Sequence, residues 1–515
     1  MSRVWPIAAL VRADVLERTR RYQYLATIVA TMLLGTLLLP GRNANYETFL
    51  IDGYRGVYNS AWVGASYALL STLLLSLFGF YLVKSAVERD RATRVGEIIA
   101  TTSIDRLSYT LGKVLSNFLI LASVTAILFV TAIAMQLVRG ENTSVNLAQI
   151  AAPFALVVLP TVTIVGAIAV FFEMVPWLRA GLGNVVYFFL WTFYAAWSFQ
   201  AKLHAGWLRD MFGANLIMRQ VWSAVLRVDP RASPNSFEIG AEAGANVRHS
   251  FTLSGFHWTA GDVSDRLIWF GAAFGVAVVA ALLFDRFSKS ARSAERRPRS
   301  VLATRWSAAV ERVTTPVFDV IFAGDLGAIV LAELRLLVRG LSPWWYAVAL
   351  GLWLFQLGAD AKAQSIAVGL AWIWPMLLWS QLGTREHVYG TEEFVYPTLR
   401  PIRRQFVAQC IAGVILALAL AGGALVHWGV RGDLVAIEGI VAGAIFVPTL
   451  ALACGAFSGT TRLFEIVYLV LWYIGPMNRT MFDFTRGVNA PGFLLASVAL
   501  LVLAVAMRKL RLQYA

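Results

Sequence analysis

Charge is the first thing this sequence lacks. Of 515 residues, only 14% are Asp, Glu, Lys or Arg, and 58% are hydrophobic. A soluble domain carries about 25% charged residues. With a mean hydropathy of +0.66, that shortage excludes a soluble enzyme and a disordered chain. Cysteine is scarce as well. Cys410 and Cys454 both fall in apolar runs, spaced for neither a metal nor a disulfide framework. Five histidines are present, and none stands in an HExxH or HxxxH pattern; His204, His249 and His257 share one polar stretch. No GxxxxGK[ST] loop occurs, and no polar stretch is long enough to hold a nucleotide-binding domain.

What the sequence does have is long runs without a charge. Six lie in the first part: Tyr22–Gly41, Gly56–Val83, Val114–Val138, Asn142–Phe172, Ala180–Ala201 and Leu267–Phe284. Six lie in the second: Gly340–Ala359, Ala363–Thr384, Gln405–Val430, Gly439–Thr461, Ile466–Asn478 and Gly487–Met507. A helix needs roughly 20 apolar residues to cross a bilayer. The runs therefore predict an all-α polytopic membrane protein of about 12 transmembrane helices, with eleven or ten as alternatives. The Ile466–Asn478 run is the weakest. The first run follows a charged stretch, and no small-residue cleavage site follows Leu39, so it reads as a retained span rather than a signal peptide.

The net charge of +14 would suggest nucleic acid in a soluble protein. Here it follows the loops. Taking the N-terminus as cytoplasmic places Arg12, Arg18, Arg89, Arg91, Arg106, Arg403, Arg404 and Arg508 on one side, facing an anionic membrane surface. Both termini are then cytoplasmic, which requires an even number of spans.

A polar, Arg-rich linker, residues 285–315, divides the chain into halves at 1–284 and 316–515. Each half opens with an amphipathic stretch: Val4, Ile7, Val11 and Val15 in the first, Leu326, Val330, Leu334 and Leu337 in the second. Two spans, a charged segment and four more spans follow in each. This is a repeat of layout, without residue identity.

The most informative stretch is the first charged segment, 84–106, continuing to Lys113. It packs Glu88, Arg89, Asp90, Arg91, Gly96, Glu97, Asp105 and Arg106 into a short span. Val95, Ile98, Ile99 and Thr102 recur at helical spacing, which gives one apolar face. A short helix of this kind suits docking into a protein groove. The order of residues resembles the ABC-2 type permease family, the membrane subunits of a class of ATP-binding-cassette transporters. The shared elements are an acidic and basic cluster, Gly96-Glu97, Ile104-Asp105-Arg106 and Leu111-Gly112-Lys113. The second charged segment, 385–404, is similar to a degenerate copy, with Glu386, Glu392 and Glu393 and then Arg403 and Arg404.

The resemblance implies that both segments are coupling helices seated on ATPases, and that the amphipathic starts are connecting helices. It implies an extracytoplasmic insertion at 202–265. It further implies a permease without its own ATPase site, two copies of a separate ABC ATPase subunit carrying ATP and Mg, and a hydrophobic or amphiphilic substrate moved outward across a bacterial cytoplasmic membrane. Two other classes stay open. An ion-coupled secondary transporter would place ionisable residues inside spans, whereas Glu173, Asp285 and Glu465 sit at run ends. A membrane-embedded enzyme would need a nucleophile and base or a metal cluster.

Overall fold

The computed structural model describes residues 4–41, 46–179, 181–200, 206–232, 237–242, 249–287, 325–339, 341–388, 390–391, 402–477 and 482–514. It is 78% helical. The chain forms two compact units, residues 1–295 and 296–515.

The first unit begins with α1 (Val4–Thr19) and α2 (Tyr22–Leu37). The strands β1 (Tyr46–Ile51) and β2 (Tyr54–Gly56) follow, and then α3 (Ser60–Val83), α4 (Ala86–Ala92), α5 (Val95–Thr101) and α6 (Arg106–Arg139). Next come α7 (Leu147–Pro153), a π turn at Phe154–Val158, α8 (Leu159–Met174), α9 (Gly181–Phe199) and α10 (Ala214–Leu226). Strands β3 (Phe237–Glu242) and β4 (His249–Phe251) and helix α11 (Ala260–Leu283) complete it.

The helix starts follow ordinary capping chemistry. Asn59 accepts from the Trp62 N–H at the start of α3, and Thr259 and Asp262 cap each other at the start of α11. Helix α3 is the buried centre of the unit, packed on α6, α7 and α8. Two of its buried hydroxyls are satisfied within the helix itself: Ser66 donates to the Trp62 carbonyl and Thr72 to that of Leu69, both at 2.8 Å. Around it, Phe80 stacks on Tyr187 at 3.5 Å and meets Phe172 edge-on at 5.2 Å.

An element absent from the sequence reading lies at the end of this unit where α3 and α11 begin. Four short strands form one sheet in the order β3-β1-β2-β4. The β1–β2 hairpin turns through Asp52 and Gly53, both at positive φ. Strand β3 pairs antiparallel with β1, and β4 pairs parallel with β2. Phe49 stacks on Trp62 at 4.2 Å, which ties the sheet to α3.

The second unit holds α12 (Asp325–Val338), α13 (Pro343–Gly358), α14 (Ala361–Ile373), α15 (Met376–Trp379), α16 (Arg385–Val388) and a π turn at Ile402–Phe406. Then come α17 (Val407–Leu420), α18 (Gly422–Arg431), α19 (Leu434–Ser458), α20 (Thr461–Trp472) and α21 (Ala490–Tyr514). Its core is built on buried indoles whose N–H groups are satisfied. Trp372 donates to the Ala417 carbonyl at 3.0 Å, Trp379 to Gly413 at 3.3 Å and Trp472 to Gly369 at 2.7 Å.

Helices α17 and α18 form one apolar stretch bent by 62° at Ala421, just before the Gly422-Gly423 pair. The fully buried Gln356 of α13 bridges the break. Its Nε2 donates to the Leu420 carbonyl at 2.9 Å, and its Oε1 accepts from the Ala424 N–H at 3.0 Å.

Among the described residues, six helices are long and apolar enough to cross a membrane: Ser60–Ala92, Arg106–Arg139, Leu147–Met174, Ala260–Leu283, Leu434–Ser458 and Gly487–Lys509. The bent α17–α18 pair makes a seventh if it is one span. The chain is thus a helical membrane protein. The remaining five charge-free runs also carry helices, but of 12 to 19 residues: α2, α9, α13, α14 and α20. At ~1.5 Å per residue most of these fall short of the ~30 Å hydrocarbon layer. Trp374 and Pro375 end α14 early, since proline cannot extend it.

Candidate functional site

The first unit gathers its charges where α1, the ends of α3 and α8, and the start of α6 converge. Asp14 of α1 is 5% exposed and lies at the centre. It pairs with Arg18 one turn later at 3.1 Å, with Arg89 of α4 at 2.8 Å and with Lys113 of α6 at 3.1 Å, and it accepts from the Ser116 hydroxyl. Burial raises the Asp14 carboxyl, but Arg18, Lys113, Ser116 and Arg89 together outweigh it and hold it below the usual aspartate value. Arg18 also donates to Asn117 Oδ1 at 2.9 Å, and Asn117 in turn donates to the Gly166 carbonyl of α8 at 3.2 Å.

Helix α4 has seven residues, too few to persist alone. Glu173, at the end of α8, supplies what it lacks. Its two carboxylate oxygens accept from four successive backbone N–H groups, those of Ser85, Ala86, Val87 and Glu88, at 2.7 to 3.0 Å. These are the donors a helix start leaves open, and the negative charge suits the positive end of its dipole. Asp90 then turns inward, accepting from the Tyr109 hydroxyl at 2.6 Å and pairing with Lys113 at 2.8 Å. Arg91 reaches Asp285 at 3.4 Å, and Arg179 reaches the same carboxylate at 3.7 Å. Asp14 and Asp90 thus share Arg18, Arg89 and Lys113, while Glu173 faces backbone N–H groups. Breaking one buried partner leaves another uncompensated.

Arg94, at φ +60°, turns the chain from α4 into α5. Helix α5 rests on Gly96. A Cβ there would lie 2.7 Å from the Phe287 ring, which itself packs edge-on against Tyr109 and Phe284. With that face seated, Val95 and Ile98 point away, 42% and 65% exposed. Glu88, Arg94, Glu97, Asp105 and Arg106 are exposed around them. Asp105 also caps α6, accepting from the Ser108 N–H at 3.3 Å.

The eight residues singled out in this segment therefore separate into two groups. Arg89, Asp90, Arg91 and Gly96 hold the segment from behind. Glu88, Glu97, Asp105 and Arg106 surround an outward apolar ridge. The sequence reading missed Asp14 and Glu173 as members of the site. The Asp14 and Arg18 spacing of four on an amphipathic helix was the available signal for the first. Glu173 was visible only as a charge at the end of a run.

In the second unit, Glu386 is 3% exposed and meets Arg508 of α21 at 3.3 Å, Gln405 at 3.1 Å and Gln409 of α17 at 2.8 Å. Burial raises its carboxyl, and Arg508 and Gln409 more than reverse that, leaving it below the usual glutamate value. Arg385 pairs with Glu333 of α12 at 2.9 Å. Burial keeps Glu333 above the usual value, with Arg385 opposing and Glu386 adding to the rise. The Arg404 side chain is exposed at the π turn before α17. Glu392, Glu393 and the side chain of Arg403 lie outside the described residues.

Among the described residues, no group of three or more His, Cys, Asp and Glu side chains is placed to hold a metal ion. No known protein family, curated protein or solved structure matches this chain.

Proposed function

We propose that this chain is the permease subunit of an ATP-binding-cassette transporter and that α5 is its contact with a separate ATPase. The observation that carries the reading is the outward ridge of Val95 and Ile98, ringed by charges and held from behind by the Asp14 and Glu173 network. An exposed apolar helix face in a charged rim is the surface a partner groove takes. A rigid backing is what transmission of force through such a contact needs. The resemblance of residues 84–113 to the ABC-2 permease coupling segment points the same way.

On this reading the charged segments 84–106 and 385–404 and the termini are cytoplasmic. ATP and Mg bind to the partner, two ATPase copies serve one chain, and the cargo is hydrophobic or amphiphilic and is exported. The test is co-purification in mild detergent. A soluble P-loop ATPase should be retained at near two copies per chain. The variant carrying Ile98→Asp and Val95→Asp should lose at least half of it while eluting as a folded species. A wild-type chain that purifies alone, or a double variant that retains the ATPase in full, would overturn the proposal.

A further inference from the structure

We infer that the second unit holds a binding site for the head group of an amphiphile, at the end of the unit opposite Glu386 and Arg508. A cavity of about 450 Å³ opens between α14, the last turn of α18, the first turns of α19 and the stretch leading into α21. That volume is in the range of small-molecule sites. Trp428, Val368 and Ile440 give it an apolar wall, and Gln364, Asp433 and Arg486 give it polar groups.

Gln364 is the telling residue. It is 3% exposed, and its Nε2 donates to the Gln356 carbonyl at 2.6 Å. Its Oε1 is buried and has no hydrogen-bond partner among the described residues. A buried acceptor without a donor is a lasting cost, and a ligand N–H or O–H would remove it. Asp433 spends one carboxylate oxygen on the Ala436 N–H at 3.0 Å, capping α19. Arg486 is exposed at the rim, available to an anion. The complementary ligand therefore joins an anionic group to a hydrogen-bond donor.

The height of the cavity says where such a ligand comes from. Thr485, Arg486 and Val488 stand at the start of the Gly487–Lys509 span. The helix from Ala490 to Arg508 is about 27 Å long at ~1.5 Å per residue, close to the ~30 Å hydrocarbon thickness. The span length thus puts the cavity level with lipid head groups. The site deepens the permease reading by naming the cargo's chemistry and rests on that reading for its role in transport. Binding itself does not need an ATPase.

The experiment uses the full chain in detergent, without any ATPase, so its failure leaves the docking proposal standing. Binding of lysophosphatidylethanolamine, lysophosphatidylcholine and free phosphoethanolamine is measured by native mass spectrometry. The ethanolamine lipid has N–H donors and the choline lipid has none. The ethanolamine form should bind at least tenfold tighter, and Gln364→Leu should abolish that ratio. Val435→Trp places bulk on an exposed lining residue, leaves the Gln364 bonds alone and should weaken binding of both lipids. Equal binding of the two lipids, a ratio that survives Gln364→Leu, or unchanged binding in Val435→Trp would overturn the inference. Equal binding of free phosphoethanolamine would also overturn it, since the ligand would then not be an amphiphile.

Discussion

Asp14 and Arg89 meet at 2.8 Å, joining the entry helix of the first unit to the segment that carries α5. The second unit makes the same kind of join with other residues: Glu333 of its entry helix meets Arg385 at 2.9 Å. In each unit the entry helix and the charged segment after the second run are fastened by an acid on the former and an arginine on the latter.

Removing the hub should be costly. Asp14→Ala leaves Arg18, Arg89 and Lys113 buried around a lost carboxylate. A destabilisation of about 3–5 kcal/mol is expected, measured as thermal unfolding in detergent. Glu17→Ala removes a carboxylate that is 44% exposed and should change stability by less than about 0.5 kcal/mol. Similar losses for the two variants would show that Asp14 is not the organising charge.

Glu173→Gln keeps the shape of the side chain but removes the anion facing four N–H groups. The cost should be roughly 1–3 kcal/mol, concentrated in α4. Hydrogen exchange across residues 86–92 should accelerate at least tenfold while α3 stays protected. Uniform acceleration through α3 would mean that Glu173 supports the whole bundle instead.

Gly96→Ala places a methyl group against the Phe287 ring, which Tyr109 and Phe284 hold in place. Overpacking of this kind costs about 1–3 kcal/mol. The expected result is a displaced α5, with ATPase retention reduced more than the melting temperature. Unchanged retention would detach the seat of α5 from docking.

Stability in acid should report on Glu386. Its folded carboxyl lies below the unfolded value of about 4.3–4.5. In the interval between, the unfolded chain binds the proton and the folded chain does not, so stability rises with pH. The contribution is complete above the unfolded value and is lost as pH falls through the folded one. The gap in melting temperature between wild type and Glu386→Gln should be constant above about pH 5 and narrow as pH falls below the unfolded value. A gap that is the same at pH 3 and pH 7 would contradict the ion pair with Arg508.

Much of this molecule could be read from its residues, for identifiable reasons. Long apolar runs must become helices in a bilayer, because no other local structure satisfies the backbone there. That logic located α3, α6, α8, α11, α19 and α21. It could not find the sheet, because β1 and β3 pair across most of the first unit's length and their short, mixed-polarity sequences carry little signal. It also could not tell that Arg89, Asp90 and Arg91 turn inward. Their partners, Asp14, Lys113, Tyr109 and Asp285, come from distant parts of the chain. The apolar stripe was legible, since Val95 and Ile98 follow helical spacing. Which of its members would face out depended on Phe287 covering Gly96.

The bond across the α17–α18 elbow belongs to neither arm. Leu420 and Ala424 are four residues apart, so in a straight helix the Ala424 N–H would bond the Leu420 carbonyl directly. In the bent form the Gln356 amide stands between them and satisfies both. A single buried amide carried on α13 thus takes the place of the one backbone bond that a straight helix would make here, and the continuity of the two arms depends on a side chain from a third helix.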